Sequence, residues 1–279
     1  PGIQYLLFHM QGDWMMLKNL GSSERHIVGV VPMAGRATRL PGLACSKEIL
    51  AVEPSPGANS AGAGPRVVCA YLLEKMRAAG VSRVYVILRD GKWDIPACLG
   101  DGSSRGLQLA YLMMGLPYGT PYSVDQACPF IENATVTFGF PDMILGPENI
   151  FGLLLDYQKV NHADVVLGLF PADRPEKVDM VELSASGKVT RIVIKPQATD
   201  LHVTWGAAVW TPVFTRFMHE FLASHKKIAE QEPELFMGDI VQAGIQKGLN
   251  VCGLQVSERP YIDIGTPDDL ERASGTADE

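Results

Sequence analysis

No C-x-x-C spacing occurs among the five cysteines, Cys45, Cys69, Cys98, Cys128 and Cys252. They are scattered and odd in number. That argues against a disulfide framework and a zinc ribbon, and for a reducing, cytoplasmic setting. No apolar run approaches the roughly 18 residues of a membrane-spanning helix. The six histidines show no metal-ligand spacing. Neither a Walker loop nor a G-x-G-x-x-G occurs, and the dispersed aromatics form no base-stacking platform. Positive charge is also scarce: 24 Lys and Arg stand against 31 Asp and Glu, a net charge of −7. A bulk grip on nucleic acid or on an anionic membrane is therefore excluded.

What is present suits a globular enzyme. The chain has 279 residues, 47% of them hydrophobic, enough for a sizeable core. Residues 1–24 read as a leader or extension outside the fold, and residues 25–279 as a single domain. The charge is unevenly placed. From Arg25 to Lys47 there are four basic residues and no acidic one, while from Glu258 to Glu279 two basic residues face seven acidic ones. An acidic protein thus carries one local basic stretch.

The hydrophobic pattern alternates between strands and helices. Ile27–Pro32 reads as a strand buried on both faces. Residues 54–65 read as a flexible surface loop, Arg66–Ala79 as a helix and Arg83–Leu88 as a strand. Further strands are expected at Ala134–Phe140, Asp164–Phe170, Val203–Trp210, Leu249–Val256 and Tyr261–Ile264. Further helices are expected at Glu148–Asn161, Pro212–Lys227, Phe236–Lys247 and from Thr266 or Pro267 to Ala273. Ser184-Ala185-Ser186-Gly187, between strands Val178–Leu183 and Lys188–Ile194, signals a hairpin. The order predicts an α/β fold with a mixed, mostly parallel sheet flanked by helices and a small antiparallel insertion near residues 178–210.

Three features carry possible chemistry. The loop after the first strand runs Ala34-Gly35-Arg36-Ala37-Thr38-Arg39-Leu40, followed by Ser46-Lys47. Small residues there let backbone N–H groups approach phosphate oxygens, and Arg36, Arg39 and Lys47 add charge that neutralises a triphosphate. From spacing alone, an ordinary solvated loop fits equally well. Asp142 and Asp263 each follow or lie in a strand, where carboxylates can hold Mg²⁺ together with phosphate oxygens. A lone Asp before a helix usually caps it. Thr266 and Asp268 are available to cap here, which leaves Asp263 for another task. Lys195, in Ile194-Lys195-Pro196, reads by itself as solvent-exposed decoration.

Together these residues resemble the sugar-1-phosphate nucleotidylyltransferase family, most of all its short glucose-1-phosphate thymidylyltransferase type. The family's G-G-x-G-T-R-L loop is similar to residues 34–40, and its P-K to Ser46-Lys47. Its G-D-G-S and G-L-x-L-x-Y resemble Gly100-Asp101-Gly102-Ser103 and the run from Gly106 to Tyr111. Gln126-Ala127, Pro141-Asp142-Met143, Ile194-Lys195-Pro196, Trp205-Gly206-Ala207-Ala208 and the run Tyr261 to Asp268 follow in the family's order. The resemblance implies a Rossmann-like, GT-A-like nucleotidyltransferase fold. It also implies Mg²⁺ as cofactor, and an NTP (dTTP or UTP favoured) and a sugar-1-phosphate as substrates. By the same resemblance Ala34, Gly35, Arg36, Ala37 and Thr38 hold the nucleotide, and Gln126 reads the base. Arg39 and Lys47 bind its phosphates, Lys195 and Gly206 hold the sugar phosphate, and Asp142 and Asp263 bind the metal.

The departures are local. Ala34 and Ala37 stand where the family has glycine, Ile194 where it has Glu, and Met143 where it has Asn. They leave the phosphate-handling residues in place and alter the sugar and base surroundings, which points to retained chemistry on a sugar other than glucose. Two alternatives remain open at this point. One is a non-catalytic nucleotide-sugar sensor; the other is a cytidylyltransferase for a non-sugar alcohol phosphate. The chain stops soon after the closing motif, without the assembly elements of many relatives, which leaves a homo-oligomer open.

Overall fold

The computed structural model describes residues 26–35, 43–52, 66–115, 119–225, 234–265 and residue 269. Strand β1 (Ile27–Pro32), the short β2 (Ala51–Val52) and β3 (Arg66–Val67) lead into helix α1 (Val68–Ala78). Next come β4 (Arg83–Arg89), α2 (Asp94–Leu99), β5 (Gln108–Met114), α3 (Thr120–Asp125) and α4 (Cys128–Ile131). They are followed by β6 (Thr135–Gly139), β7 (Met143–Ile144), α5 (Ile150–Asn161), β8 (Val165–Pro171), β9 (Asp179–Leu183) and β10 (Val189–Ile194). The last elements are β11 (Val203–Trp210), α6 (Pro212–His225), α7 (Met237–Gln246), β12 (Val251–Gln255) and β13 (Ile262–Asp263).

Among the described residues, nine strands form one mixed sheet with the order β10-β9-β11-β6-β1-β4-β5; β8 also pairs with β11, and β12 with β8. β1 is parallel to β4 and β6, β4 to β5, and β8 to β12. β11 runs against β6, β8 and β9, and β10 against β9. Seven strands therefore share one direction and two, β10 and β11, oppose it. The expected mostly parallel, mixed sheet is the sheet observed. β11 is not confined to an insertion: it lies in the body of the sheet, bonded to both β6 and β8. The hairpin β9–β10 closes at Gly187, whose φ of +78° suits a residue without Cβ.

The apolar runs of the central strands follow from burial on both faces. Along β1, Val28 and Val30 join one cluster with Phe138, Val124 and Phe214, while Val31 joins a second with Leu72, Val86 and Phe151. Helices α3, α4, α6 and α7 thus cover one face, and α1, α2 and α5 the other. Trp210, 1% exposed, rests on Phe138 and Phe214 and donates its indole N–H to Thr215 Oγ1 at 3.0 Å. Each such large side chain contributes about 1.5–3 kcal/mol through burial.

Several boundaries differ from expectation. The helix expected from Arg66 begins at Val68, because Arg66 and Val67 pair with Val52 and Ala51 in a two-residue ladder. The helix expected from Glu148 starts at Ile150, and that expected from Phe236 starts at Met237, with Phe236 N–H held by Asp239 Oδ2 at 2.8 Å. The expected loop at 54–65, the leader at 1–24 and, apart from helical Asp269, the helix after Thr266 fall outside the described residues.

Candidate active site

The ends of parallel strands β1 and β6 open on one side of the sheet, and the chain returns there twice more. After β1, Ala34 is 2% exposed and packs into the core with Val28 and Phe138, so its Cβ points away from any ligand beside the loop. Its backbone has no left-handed φ. The Ala-for-Gly departure at this position therefore obstructs nothing. A Cβ on exposed Gly35 would meet only Glu48 Oε1 at 3.9 Å and Lys47 Cε at 4.0 Å, so this glycine faces Lys47 across open space. Arg36, Ala37, Thr38 and Arg39 lie outside the described residues.

Lys47 opens a single 3₁₀ turn, Lys47–Ile49, that is pinned on both sides. Ser46 donates its N–H to Asp94 Oδ2 at 2.6 Å and its hydroxyl to Asp94 Oδ1 at 2.8 Å. Burial opposes the charge on Asp94, but these two bonds prevail and hold its carboxyl below the usual range. On the other side Glu48, 1% exposed, receives Lys92 Nζ at 2.7 Å. Burial raises the Glu48 carboxyl above its ordinary value, and Lys92 offsets this only in part.

Between these two anchors Lys47 Nζ donates to Asp142 Oδ2. Asp142 follows β6, and a two-residue antiparallel ladder then joins β7 to β13, setting Asp263 opposite Met143. Ile264 N–H donates to the Asp142 carbonyl at 2.8 Å, which locks this register. Residues 121 positions apart in sequence are thus neighbours in space. Burial alone would lower the pKa of the Lys47 ammonium. Asp142 first, then Glu48 and Asp263, outweigh it and hold the ammonium above the ordinary lysine value. Asp142 and Asp263 each offer hard oxygen donors of the kind Mg²⁺ accepts together with phosphate oxygens. Gly265 keeps the Asp263 carboxylate uncrowded: a Cβ there would lie 3.2 Å from Oδ1.

The residues expected to hold the sugar phosphate are differently placed. Lys195 follows β10 with φ +40°, is exposed, and sets Nζ 3.7 Å from the centroid of the Phe236 ring. Gly206 marks a register shift in β11; a Cβ there would meet Leu145 Cδ2 at 2.9 Å and Tyr261 Cδ1 at 3.2 Å. Packing against those side chains explains that glycine. Gln126 is exposed at the end of α3 and donates its amide to Tyr122 O at 3.3 Å. Among the described residues no bond joins it to the Lys47–Asp142 pair.

Four residues were missed by the sequence reading: Glu48, Lys92 and Asp94, which position Lys47, and Arg174. Arg174 donates to Asp269 Oδ1 at 2.7 Å, and Asp263 is among the carboxylates that keep its guanidinium charged against burial. One signal was available: Glu48 stands between the acid-free stretch and the apolar run Ile49–Val52.

Lys47, Asp142 and Asp263 thus come together near the loop that follows a parallel strand. The nucleotidyl transferase family profile matches residues 29–279, and the chain belongs to that family. A glucose-1-phosphate thymidylyltransferase of Streptomyces griseus is 30% identical over 192 residues, covering 67% of this chain and 51% of that protein. A low-salt glycan biosynthesis nucleotidyltransferase of Haloferax volcanii is 25% identical over 213 residues, covering 74% and 56%. A mannose-1-phosphate guanylyltransferase of Mycobacterium tuberculosis is 26% identical over 247 residues, covering 88% and 63%. The chain thus spans between half and two thirds of the length of these relatives. A solved structure of a candidate glucose-1-phosphate thymidylyltransferase from Bacillus anthracis, in complex with sucrose, shares the fold. Its TM-score is 0.73 at 18% identity, over 90% of this chain and 95% of that one.

Proposed function

We propose that residues 25–279 form one catalytic domain that transfers a nucleotidyl group from an NTP to a sugar-1-phosphate and releases pyrophosphate. The observation that carries this reading is the convergence of Lys47, Asp142 and Asp263 beside the loop after β1. dTTP or UTP is the favoured donor. The thymidylyltransferase names among the relatives support it, and the guanylyltransferase name marks the competing choice. Mg²⁺ held by Asp142 and Asp263 would neutralise charge on the triphosphate.

The chain's own residues do the rest by position and charge. Lys47, held in place from both sides, lies against the α-phosphate and balances the charge that builds on it. Arg39 steadies the pyrophosphate that leaves, and the loop around Gly35 carries the nucleotide. Lys195 swings from Phe236 to the acceptor's phosphate and Gly206 lies near it. Gln126 reads the base. The attacking phosphate oxygen is already ionised near neutral pH, so no general base is required, and alignment carries the rate.

A cytoplasmic setting accords with five free cysteines. Among the described residues no helix is long and apolar enough to cross a membrane. Ile194, the motive for a less hydroxylated acceptor, packs toward α7 at Gly238, so no observation favours the alcohol-phosphate reading. The deciding experiment is a matrix of four NTPs and dTTP against several sugar-1-phosphates with Mg²⁺, read by pyrophosphate release. Release with dTTP or UTP and one sugar-1-phosphate supports the reading. Tight nucleotide binding without release under every acceptor overturns it in favour of a sensor.

A further inference from the structure

We propose that Asp125, Cys128 and His219 form a second metal site, selective for Zn²⁺ and separate from the Asp142–Asp263 pair. One ligand atom from each of the three lies within 4.8 Å of the others. Asp125 ends α3 and Cys128 begins α4, and Gln126 and Ala127 between them both keep right-handed helical angles. The three-residue spacing along one helical turn therefore sets the carboxylate and the thiol on the same side. His219 meets them from α6, its Nδ1 lying 2.9 Å and 3.2 Å from the two Asp125 oxygens.

The donor chemistry selects the ion. Nitrogen, sulfur and oxygen donors together suit a borderline-soft cation and not Mg²⁺, which takes oxygen ligands. Zinc sites with three protein ligands keep a fourth position for water. His219, with 54% of its side chain exposed, puts this cluster at the surface where water reaches it. Tetrahedral bonds of about 2.0–2.3 Å place donor atoms roughly 3.5 Å apart. Closing from at most 4.8 Å to that spacing requires small rotations of all three side chains.

An occupied site ties the α3–α4 segment to α6. One consequence rests on the function proposed above: Gln126 lies between two of the ligands, so the metal would fix the turn that reads the base.

Co²⁺ is the direct probe, because thiolate ligation gives a near-ultraviolet charge-transfer band and tetrahedral geometry an intense visible spectrum. The whole protein, titrated with Co²⁺ and then Zn²⁺, should show both features and lose them as Zn²⁺ displaces Co²⁺. Cys128→Ser should abolish the charge-transfer band, and His219→Gln, a surface change that spares the fold, should weaken Co²⁺ binding at least ~100-fold. Cys45→Ser and Cys98→Ser should leave the spectra unchanged. Zn²⁺ at ~100 times its Kd should raise Tm by about 5 °C or more in the parent and not in His219→Gln. Absence of the band overturns the proposal, as does its survival in Cys128→Ser or its loss in Cys45→Ser or Cys98→Ser. None of these readouts uses turnover, so they stand or fall apart from the transferase reading.

Discussion

Two lysines, one on a 3₁₀ turn and one just after a strand, show how differently the two halves of the proposed site are built. The Lys47 side chain is 15% exposed, ion-paired to Asp142, and carried on a turn fixed by Ser46–Asp94 and Glu48–Lys92. Lys195 is exposed, makes no ion pair among the described residues and lies over the face of Phe236, at 3.7 Å. A charge-assisted hydrogen bond is worth about 1.5–3 kcal/mol, an exposed cation–π contact about 0.5–1. Lys47 is therefore set before any ligand arrives, whereas Lys195 is released at little cost. A triphosphate has the same geometry whatever base it carries, which favours a rigid cradle. An acceptor differs from one enzyme to the next, which favours an adjustable arm.

The rigidity of the Lys47 side is the first half of this contrast to break. Lys92→Met leaves the Glu48 carboxylate buried without its cation, and urea unfolding should show a loss of about 3–5 kcal/mol. Adding Glu48→Leu should recover most of it, because an apolar pair replaces an orphaned charge. A single variant as stable as the parent would show that the turn is not held this way. Asp142→Asn keeps size but removes the charge facing Lys47 and the proposed metal. Pyrophosphate release should fall at least ~10²-fold, or about 2.7 kcal/mol in the barrier. Unchanged release would sink the role given to Asp142.

Next comes the ground beneath Lys195. Burial pushes the Asp179 carboxyl from its ordinary 3.8 up to about 6; Lys195 pulls it down, Asp239 pushes it up, and Gly238 N–H pulls it down. The folded state thus holds this proton more tightly than the unfolded chain does. Its stabilising contribution is full below about pH 3.8 and is lost as pH rises through about 6. With allowance for solvent, ionisation costs about 2 kcal/mol. Asp179→Asn should therefore be about 2 kcal/mol more stable than the parent at pH 7.5 and level with it near pH 3.5. Urea unfolding at several pH values checks this, and a pH-independent difference would refute it.

Sequence legibility followed the same division. Val203–Trp210 was read to the residue because a strand buried on both faces is a continuous apolar run bounded by polar neighbours. The hairpin was legible because Gly187 must sit at positive φ. The start of α1 was not, since Arg66 and Val67 are drawn into a ladder by residues 51–52, a contact no local window contains. Residues 89–133 carried family-like motifs but no strand or helix assignment. α2 is six residues long with Pro96 inside, and β5 is half-exposed and lacks a clean alternation. At the site, the residue types Lys47, Asp142 and Asp263 were visible, but their meeting rests on a two-residue ladder far apart in sequence. Glu48, Lys92 and Asp94 were invisible for a further reason: charged residues read as surface until their partners are known.

The mildest test acts on the adjustable arm itself. Lys195 makes no ion pair among the described residues and its ring contact is weak, so removing it should leave the fold intact. If it serves the acceptor's phosphate, Lys195→Ala should raise the KM for the sugar-1-phosphate ~10-fold, about 1.4 kcal/mol, with the KM for the NTP unchanged. Lys195→Arg, which keeps the charge, should recover most of that loss. A purely structural contact with Phe236 would behave otherwise. It would lower Tm in the alanine variant, leave both KM values alone, and show no recovery that depends on charge. An equal rise in both KM values would place Lys195 with the triphosphate instead, and the contrast between a fixed and a free lysine would then lose its functional meaning.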